Sequence, residues 1–371
     1  MNISNSTTQP FYFKLAMVLI AILALGYISI LTKEVLSPLL FGLLFSILLL
    51  PLSVYFEKKL KFRRSASSAL SVLLLIVALA AVLFLIGSQI TNLAQDLPLL
   101  KEQVIMSLHN FQEWISDKFD VNMQKQMNYV NKAATKIQTA TPSMIGSTVL
   151  SLSSILLFLV FVILYTFFML FYRRRLLKFL VDVFKEENKA IVYDIVATVQ
   201  DILRKYVVGL FLEMSTVAVV CCSVFLLLGI KYAILLGLIT ALFNIVPYIG
   251  IFSALLLNVI ITFATTGMAG TVLLVVITVV AMHLIDSNIL LPMIVGSKVR
   301  INAFVTLLGV VLGEMIWGIS GMFLSIPVIA MAKIIFDRVE SMKPWGVLLG
   351  DEKIEARTLN INLKKRNPKV I

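Results

Sequence analysis

The amino-acid sequence predicts an all-α integral membrane protein with about eight membrane-embedded helical elements. Some of these elements are expected to be broken or re-entrant hairpins, and amphipathic helices are expected on both sides of the membrane. Hydrophobic residues make up 60% of the 371 residues and charged residues only 14%, with a mean hydropathy of +0.98. The apolar residues also fall in runs of about 20 or more, long enough to cross about 30 Å of hydrocarbon as helices.

The basic residues lie in clusters beside these apolar runs. Although the formal net charge is +12, the Lys and Arg residues concentrate at 58–64, 173–205 and 333–369 rather than along one binding stripe. Such clusters are typical of the cytoplasmic ends of membrane spans. We therefore expect both termini in the cytoplasm, and no nucleic-acid partner.

The apolar runs and the polar stretches between them predict six parts. These are three N-terminal spans in 1–90, an extracytoplasmic helical segment at 91–143, a fourth span at 144–173, cytoplasmic amphipathic helices at 174–206, a membrane core with broken helices at 207–336, and a cytoplasmic tail at 337–371. The first run, 15–31, has neither the basic N-terminal region nor the small-residue cleavage site of a signal peptide. It is therefore interpreted as a retained span. Apolar residues recur every three or four positions in both amphipathic segments, which favours helices.

The run at 232–264 is too long for one crossing and is interrupted near its middle. It carries no charged side chain, and a straight helix of this length would extend roughly 50 Å. Pro247 removes a backbone donor, and Gly250 permits a close backbone approach. The sequence therefore predicts a re-entrant hairpin that folds back at Pro247. Asn244, beside the break, is the side chain best placed to contact a ligand.

The last apolar run, 303–332, is also too long for one span. Its predicted interruptions are the GISG sequence and Pro327. Small residues that permit close helix contact recur along it: Gly309, Gly313, Gly318 and Gly321.

The segment AMHLIDSNILLP places ionisable residues near the end of a span. His283 and Asp286 are three residues apart and share a helix face, whereas Asn288 points away unless the helix loosens before Pro292. One interpretation is a protonatable acid paired with an imidazole, suited to proton or cation coupling. The other is an interfacial polar cluster satisfied by the basic residues of 298–300.

Three further polar residues lie within apolar runs. Glu314 is deep in the last run. It is either a functional ionisable group or a residue that packs where helices are in close contact. Glu213 follows Arg204 and Lys205 closely and is expected to reach back to the cytoplasmic side. For Asn258 we expect a hydrogen bond between helices.

An enzymatic function has little support in the sequence. Ser320 lies in a GxSG sequence similar to that of rhomboid intramembrane proteases, with His283 as a candidate base, but here His precedes Ser, the reverse of that family. Motifs for nucleotide or metal binding are not found. Cys221 and Cys222 are adjacent in an apolar run and are expected to act as small core residues. We expect no enzyme, no cofactor and no metal.

Three ordered motifs resemble the autoinducer-2 exporter family of bacterial membrane transporters. They are NIVPYIG (244–250), IDSNILLPMIVGSKV (285–299) and GISGMFLSIP (318–327). The resemblance implies a homo-oligomer, a pentamer, in the bacterial inner membrane. It further implies that the protein exports small signalling molecules or exchanges sodium or lithium for protons. By position, the resemblance implies one hairpin tip formed by Asn244, Pro247, Tyr248 and Gly250. It also implies a neighbouring segment that contains Asp286, Asn288, Pro292 and Gly296. Asp286 and Asn288 are one residue further apart than the family's adjacent acid and Asn, and Glu314 stands where a small or apolar residue is expected.

Two functional hypotheses follow. In the first, the protein is a transporter in the lipid bilayer that moves a small polar solute or a cation by alternating access, with the Pro247 hairpin as the gate. In the second, it is a membrane scaffold whose amphipathic segments bind partners. Substituting Asn244 or Pro247 should abolish flux in a transporter but leave the interactions of a scaffold intact.

Overall fold

The computed structural model describes residues 11–96, 106, 123–246, 249–290, 293 and 301–351, with the backbone alone at 123–152. Pro247, Tyr248, Pro292 and Gly296 lie outside these residues, as do Lys298 and Arg300 and most of the extracytoplasmic segment. The described residues form helices joined by short turns and connections, with one isolated bridge between Ile301 and Gly350. In chain order the helices are α1 (Phe11–Leu31), α2 (Lys33–Lys58), α3 (Arg64–Gln95), α4 (Met123–Asp182), α5 (Glu186–Leu227), α6 (Ala233–Phe243), α7 (Ile249–Thr266), α8 (Ala269–Ile285), a π-helix (Asp286–Leu290), α9 (Ala303–Trp317), α10 (Ile319–Arg338), a 3-10 turn (Glu340–Met342) and α11 (Lys343–Leu349).

The all-α membrane fold predicted from the sequence is confirmed. Within the described residues, seven helices are long and apolar enough to cross a membrane. They are α2, α3, the part of α4 from Ser153, α5, α7, α8 with the π-helix, and α10. Three shorter apolar helices, in α1, α6 and α9, add to them. Many large apolar side chains on their outer faces are exposed, as expected for contact with lipid.

Two helices continue through boundaries that the sequence placed between parts. The fourth span and the arginine triplet that follows it belong to one helix, α4. The amphipathic segment and the fifth span likewise form one helix, α5, with no break at Tyr206 and Val207. Neither position carries a Gly or Pro that would interrupt the backbone hydrogen bonds. The chain instead breaks just before Glu186, an acidic residue that suits the first turn of a helix.

Among the described residues, the buried core has three clusters. One joins α5, α6 and α8 around Phe225, Leu236 and Val275. A second joins α2, α5 and α10 around Leu203 and Leu324. The third joins α2, α3 and α4. Because α2 and α5 each belong to two clusters, these long helices connect the N-terminal spans to the broken helices.

Ion pairs connect the ends of several helices. Arg173 of α4 donates to Glu57 of α2 at 2.6 Å, and Arg338 of α10 pairs with Asp194 of α5. Asp96, which follows the last residue of α3, pairs with Lys231 between α5 and α6. The sequence predicts the basic ends in the cytoplasm, and this orientation stays a prediction.

The chain folds back at the predicted break between α6 and α7. The first helix ends at Phe243 and the second begins at Ile249. A Cβ atom on Gly250 would overlap the carbonyl group of Phe243. The glycine is therefore required where the two arms of the hairpin meet, as the sequence suggested.

A second hairpin is formed by α9 and α10 and turns at Gly318, where φ is +64°. Gly313 and Gly321 lie so close that a Cβ on either would overlap the other's backbone, and Gly309 faces Ile329. Gly309, Gly313 and Gly321 thus lie in close contact with the facing helix, whereas a Cβ atom on Gly318 would meet open space. Proline is tolerated in membrane helices where neighbouring groups compensate the lost hydrogen bond. The expected interruption at Pro327 is accordingly wrong, because α10 continues through it from Ile319 to Arg338.

Candidate functional site

The candidate site is formed where the α6–α7 hairpin tip meets α5 and the end of α8. Asn244 follows the last residue of α6, and its side-chain Nδ2 donates two hydrogen bonds. One goes to Glu213 Oε1 of α5 at 2.9 Å, and the other to Asp286 Oδ2 of the π-helix at 3.0 Å. Three separate elements thus contribute two acids and one amide to a single cluster.

Both carboxyl groups of this cluster are buried and incompletely satisfied. Glu213 is 4% exposed and Asp286 is 5% exposed. Glu213 Oε2 and Asp286 Oδ1 are also buried, and neither has a hydrogen-bond partner within the described residues. Burying two uncompensated negative charges in a membrane protein costs several kcal/mol each. The arrangement therefore calls for a bound proton or cation.

The free space at the cluster is small. A cavity lined by Asn244, Asp286 and His283, together with residues of α5, α6, α7 and α8, has a volume of about 10 Å³. This is roughly the space needed for one water-sized particle. A proton, a water molecule or a small monatomic cation fits there, and an organic molecule does not.

Helix geometry makes the site suitable for positive charge. The C-terminal end of α6 lies at Asn244, and the carbonyl groups at a helix C-terminus carry partial negative charge. Five residues from Asp286 to Leu290 form a π-helix, a local widening that is frequent at functional sites. The loosening considered in the sequence analysis is therefore present, and it begins at the acid itself.

The structure separates the other polar residues of this segment from the carboxyl pair. His283 Nε2 lies 3.3 Å from Ser287 Oγ, and its buried Nδ1 has no partner within the described residues. Asn288 is exposed, and its side chain donates to the carbonyl of Leu284 at 2.8 Å. His283 thus borders the cavity without bonding Asp286, whereas Asn288 points away from it.

Glu213 is the site residue that sequence reasoning missed. We expected it to reach back to the cytoplasmic side, but its neighbours Arg204 and Lys205 both pair with Asp201 on α5. Glu213 instead points into the bundle, toward Asn244. A signal for this was present in the sequence. Glu213 lies in an apolar run, and its nearest basic residues, Arg204 and Lys205, have Asp201 one helical turn away as a partner.

Asn258 and Glu314 have different roles in the structure. Asn258 Nδ2 on α7 donates to Thr240 Oγ1 on α6 at 2.7 Å, so the expected hydrogen bond between helices is confirmed. Glu314 is exposed on α9 and does not join the carboxyl cluster. Packing in the α9–α10 hairpin comes from the glycines on either side of it.

The residues of the protease hypothesis line different cavities. Ser320 borders a large space between the two hairpins, whereas His283 borders the small cavity at the carboxyl pair. Both cysteines are free thiols. In the described part of the chain, no group of three or more His, Cys, Asp or Glu side chains is arranged to hold a metal ion.

Membrane-crossing helices, two hairpins that break within the bundle, and a buried polar cluster where one hairpin tip meets α5 and the π-helix are features of a membrane transporter. The chain belongs to the AI-2E family of transporters, whose family model matches residues 15–341. It is therefore a multi-pass membrane protein of a transporter family.

Named relatives agree with this membership. The chain is 26% identical to the putative transport protein YueF of Bacillus subtilis, over 76% of this chain and 77% of that protein. It is 22% identical to the AI-2 transport protein TqsA of Escherichia coli, over 86% of this chain and 90% of that protein. A shorter match, 35% identical, covers 37% of this chain and 38% of the putative transport protein YrrI of Bacillus subtilis.

Proposed function

We propose that this transporter is driven by a monovalent cation or a proton that binds at Glu213, Asn244 and Asp286. The observation that carries the proposal is the sharing of one amide donor by two buried carboxyl groups. With both acids ionised, the cluster needs a compensating cation. A proton on one acid removes one of the two negative charges, and the amide then donates a hydrogen bond to the remaining carboxylate. Exchange of sodium or lithium for protons is the simplest activity that uses both states.

The α6–α7 hairpin is the proposed gate. Asn244 lies at its tip, and its two hydrogen bonds are the described side-chain link between that tip and the carboxyl groups of α5 and the π-helix. Binding a cation or a proton lowers the negative charge on the carboxyl oxygens and so weakens their hydrogen bonds to the Asn244 amide. The occupancy of the site thereby biases the hairpin position, as alternating access requires.

Direct binding of an autoinducer-2-like signal at Asn244 has less support. TqsA is named as an AI-2 transport protein, but it is 22% identical to this chain. The cavity at Asn244 holds about 10 Å³, too little for a hydroxylated organic molecule. Asn244 thus suits the coupling ion, and any organic cargo needs a different compartment. The proposal assigns no catalytic step to the chain.

A reconstituted system tests the proposal. Purified protein in liposomes containing a pH-sensitive dye should show a change of internal pH after a jump in external sodium or lithium chloride, and no comparable change with choline chloride. Asp286→Asn and Glu213→Gln should each abolish the response. The matched controls are Asp337→Asn, which removes an acid paired with Lys333 on α10, and Glu340→Gln, an exposed acid. An unchanged response in both site variants would reject the proposed site.

We further propose a homo-oligomer in the bacterial inner membrane, with both termini in the cytoplasm and five copies as the resemblance implies. Glu314 supports an oligomer: its side chain is exposed on the apolar helix α9, and a charged group facing lipid is costly. A second copy covering this face would remove the cost. Native mass spectrometry of the wild-type protein and of Glu314→Gln tests the subunit number, and a monomeric wild-type protein would contradict the proposal.

A further inference from the structure

A second, larger cavity lies between the tips of the two hairpins. Its volume is about 300 Å³, the share of roughly ten water molecules in the liquid. The α6–α7 tip contributes Leu242, Ile245 and Val246, and the α9–α10 tip contributes Ile319, Ser320 and Phe323. Helices α2 and α5 contribute the rest of the lining. Any movement of either hairpin must therefore change the shape of this space, which we name the hairpin chamber.

The wall of the hairpin chamber is apolar and rich in aromatic rings. Phe41, Phe45, Phe211 and Phe323 all line it. The rings of Phe41 and Phe323 stack with centroids 5.2 Å apart and an angle of 10° between their planes. Ser320 supplies the single hydroxyl group of the lining, and it makes no hydrogen bond with any described residue. One polar group thus faces the chamber without a partner.

This lining selects against polyhydroxylated molecules. A hydroxyl group that leaves water needs a new hydrogen-bond partner, and an unpaired group is penalised. The chamber offers one such partner, so a molecule with several hydroxyl groups would leave most of them unsatisfied. A flat apolar body gains from contact with the rings. The small polar solute expected from the sequence does not match this chemistry.

We propose that the hairpin chamber binds an organic cargo with a flat apolar body and one hydrogen-bonding group, which meets Ser320. This inference rests on the proposed function, because it assigns the cargo to the chamber and the coupling ion to the carboxyl pair. The two compartments share the α6–α7 tip: Asn244 borders the small cavity, whereas Ile245 and Val246 border the large one. A single hairpin movement therefore reaches both.

Equilibrium dialysis of the full-length protein in lipid nanodiscs tests the cargo class. The probes are 1-naphthol, which has an apolar body and one hydroxyl, naphthalene, which lacks the hydroxyl, and D-ribose, which is a polyol. Empty nanodiscs of the same lipid correct for partitioning into the bilayer. We expect saturable binding of 1-naphthol, weaker binding of naphthalene and no binding of D-ribose.

Substitutions then place the binding in the chamber. Ser320→Ala should lower the affinity for 1-naphthol by about 2- to 10-fold, the effect of one hydrogen bond, and leave the affinity for naphthalene unchanged. Ser320→Trp should fill the chamber and abolish binding of both. The matched control is Val219→Trp, which places the same bulky ring on a side chain of α5 that is 65% exposed. Size-exclusion profiles confirm that each variant remains folded.

Three outcomes would overturn the inference: saturable binding of D-ribose, 1-naphthol binding that survives Ser320→Trp, or a lipid chain occupying the chamber in an experimental structure. The proposed function is tested by a different measurement, the cation-driven pH change in liposomes, and it fails if that change is absent. A protein that binds 1-naphthol but shows no such change would retain the chamber and lose the coupling site.

Discussion

Glu213 and Asp286, on two different helical elements, accept hydrogen bonds from the same nitrogen atom, Nδ2 of Asn244. The second oxygen of each carboxyl group is buried without a partner in the described part of the chain. One amide cannot compensate two negative charges in an apolar bundle. This relationship makes the cluster sensitive to protons and cations, and it leads to the first prediction.

Sodium or lithium should protect the folded protein against heat. A cation that binds only the folded state stabilises it by about 2.7 kcal/mol at one hundred times its Kd. Scanning fluorimetry in detergent should therefore show a higher Tm in sodium or lithium chloride than in choline chloride of equal ionic strength. Because protons compete for the same carboxyl oxygens, the gain should shrink as the pH is lowered.

The Asp286→Asn variant should lose this cation-dependent gain, since it removes one of the two acids. Asp337→Asn, with its acid on α10, serves as the control and should keep the gain. An equal increase of Tm in the wild-type protein and in Asp286→Asn would show that the cation acts elsewhere.

The α9–α10 hairpin should not tolerate a side chain between its arms. In Gly321→Ala the new methyl group would overlap the backbone of Gly313, so the arms must separate. We expect a loss of about 1 to 3 kcal/mol, typical of overpacking, seen as a lower Tm.

Gly87→Ala is the matched control for this prediction. Gly87 lies within α3 and has open space around it, so alanine there should stabilise the helix by up to about 1 kcal/mol. If Gly321→Ala were as stable as Gly87→Ala, the close contact between Gly313 and Gly321 would not hold the hairpin.

The contact between Arg173 and Glu57 should be sensitive to removal of one partner. The two side chains are 18% and 16% exposed, and Arg173 also donates to Ser53 Oγ at 3.2 Å. Arg173→Met should cost about 1.5 to 3 kcal/mol, the range for hydrogen bonds to charged groups, because the Glu57 carboxylate is left largely buried.

The double variant Arg173→Met with Glu57→Leu should recover much of this loss, because no unpaired charge remains. Thermal unfolding of the two single variants and the double variant forms a mutant cycle. Purely additive losses would show that the two side chains do not stabilise each other.

The polar contact at the opposite ends of the helices should respond to pH. Asp96, at the end of α3, pairs with Lys231 at 2.7 Å and accepts a hydrogen bond from the Tyr232 hydroxyl. Lys231 and then Tyr232 lower the pKa of Asp96 below its ordinary value, and Asp96 raises the pKa of Lys231. A lowered acid pKa stabilises the fold above the ordinary pKa of Asp, near about 4, and the effect disappears as the pH falls through the lowered value.

Asp96→Asn should therefore lower the Tm at pH 7, and its difference from the wild-type protein should narrow as the pH is brought below about 4. High salt should also narrow the difference, since the pair is exposed to solvent. Lys231→Gln should behave in the same way at pH 7. A difference that grows on acidification would contradict the assigned ion pair.

The sequence by itself determined that the protein is a membrane protein, that it is helical, and where two of its helix breaks lie. Apolar run lengths locate spans because a fixed hydrocarbon thickness requires a fixed number of residues. The sequence placed one fold-back at Pro247, with Gly250 beside it, and one interruption at GISG. Both inferences depend on residues that stop a helix or tolerate close approach or positive φ. Asn244 and Asp286 were also identified, since polar groups in apolar runs are conspicuous.

Only the tertiary structure decided which polar groups meet and which spaces they border. Glu213 lies 31 residues before Asn244 and 73 before Asp286, and no local pattern encodes their approach. Whether an acid reaches back to solvent or turns inward depends on the elements packed against it. The same holds for the hairpin chamber, whose apolar wall is assembled from two helices and two hairpin tips. The sequence specifies which side chains are present and in what order, whereas the packing of the helices decides which distant side chains meet.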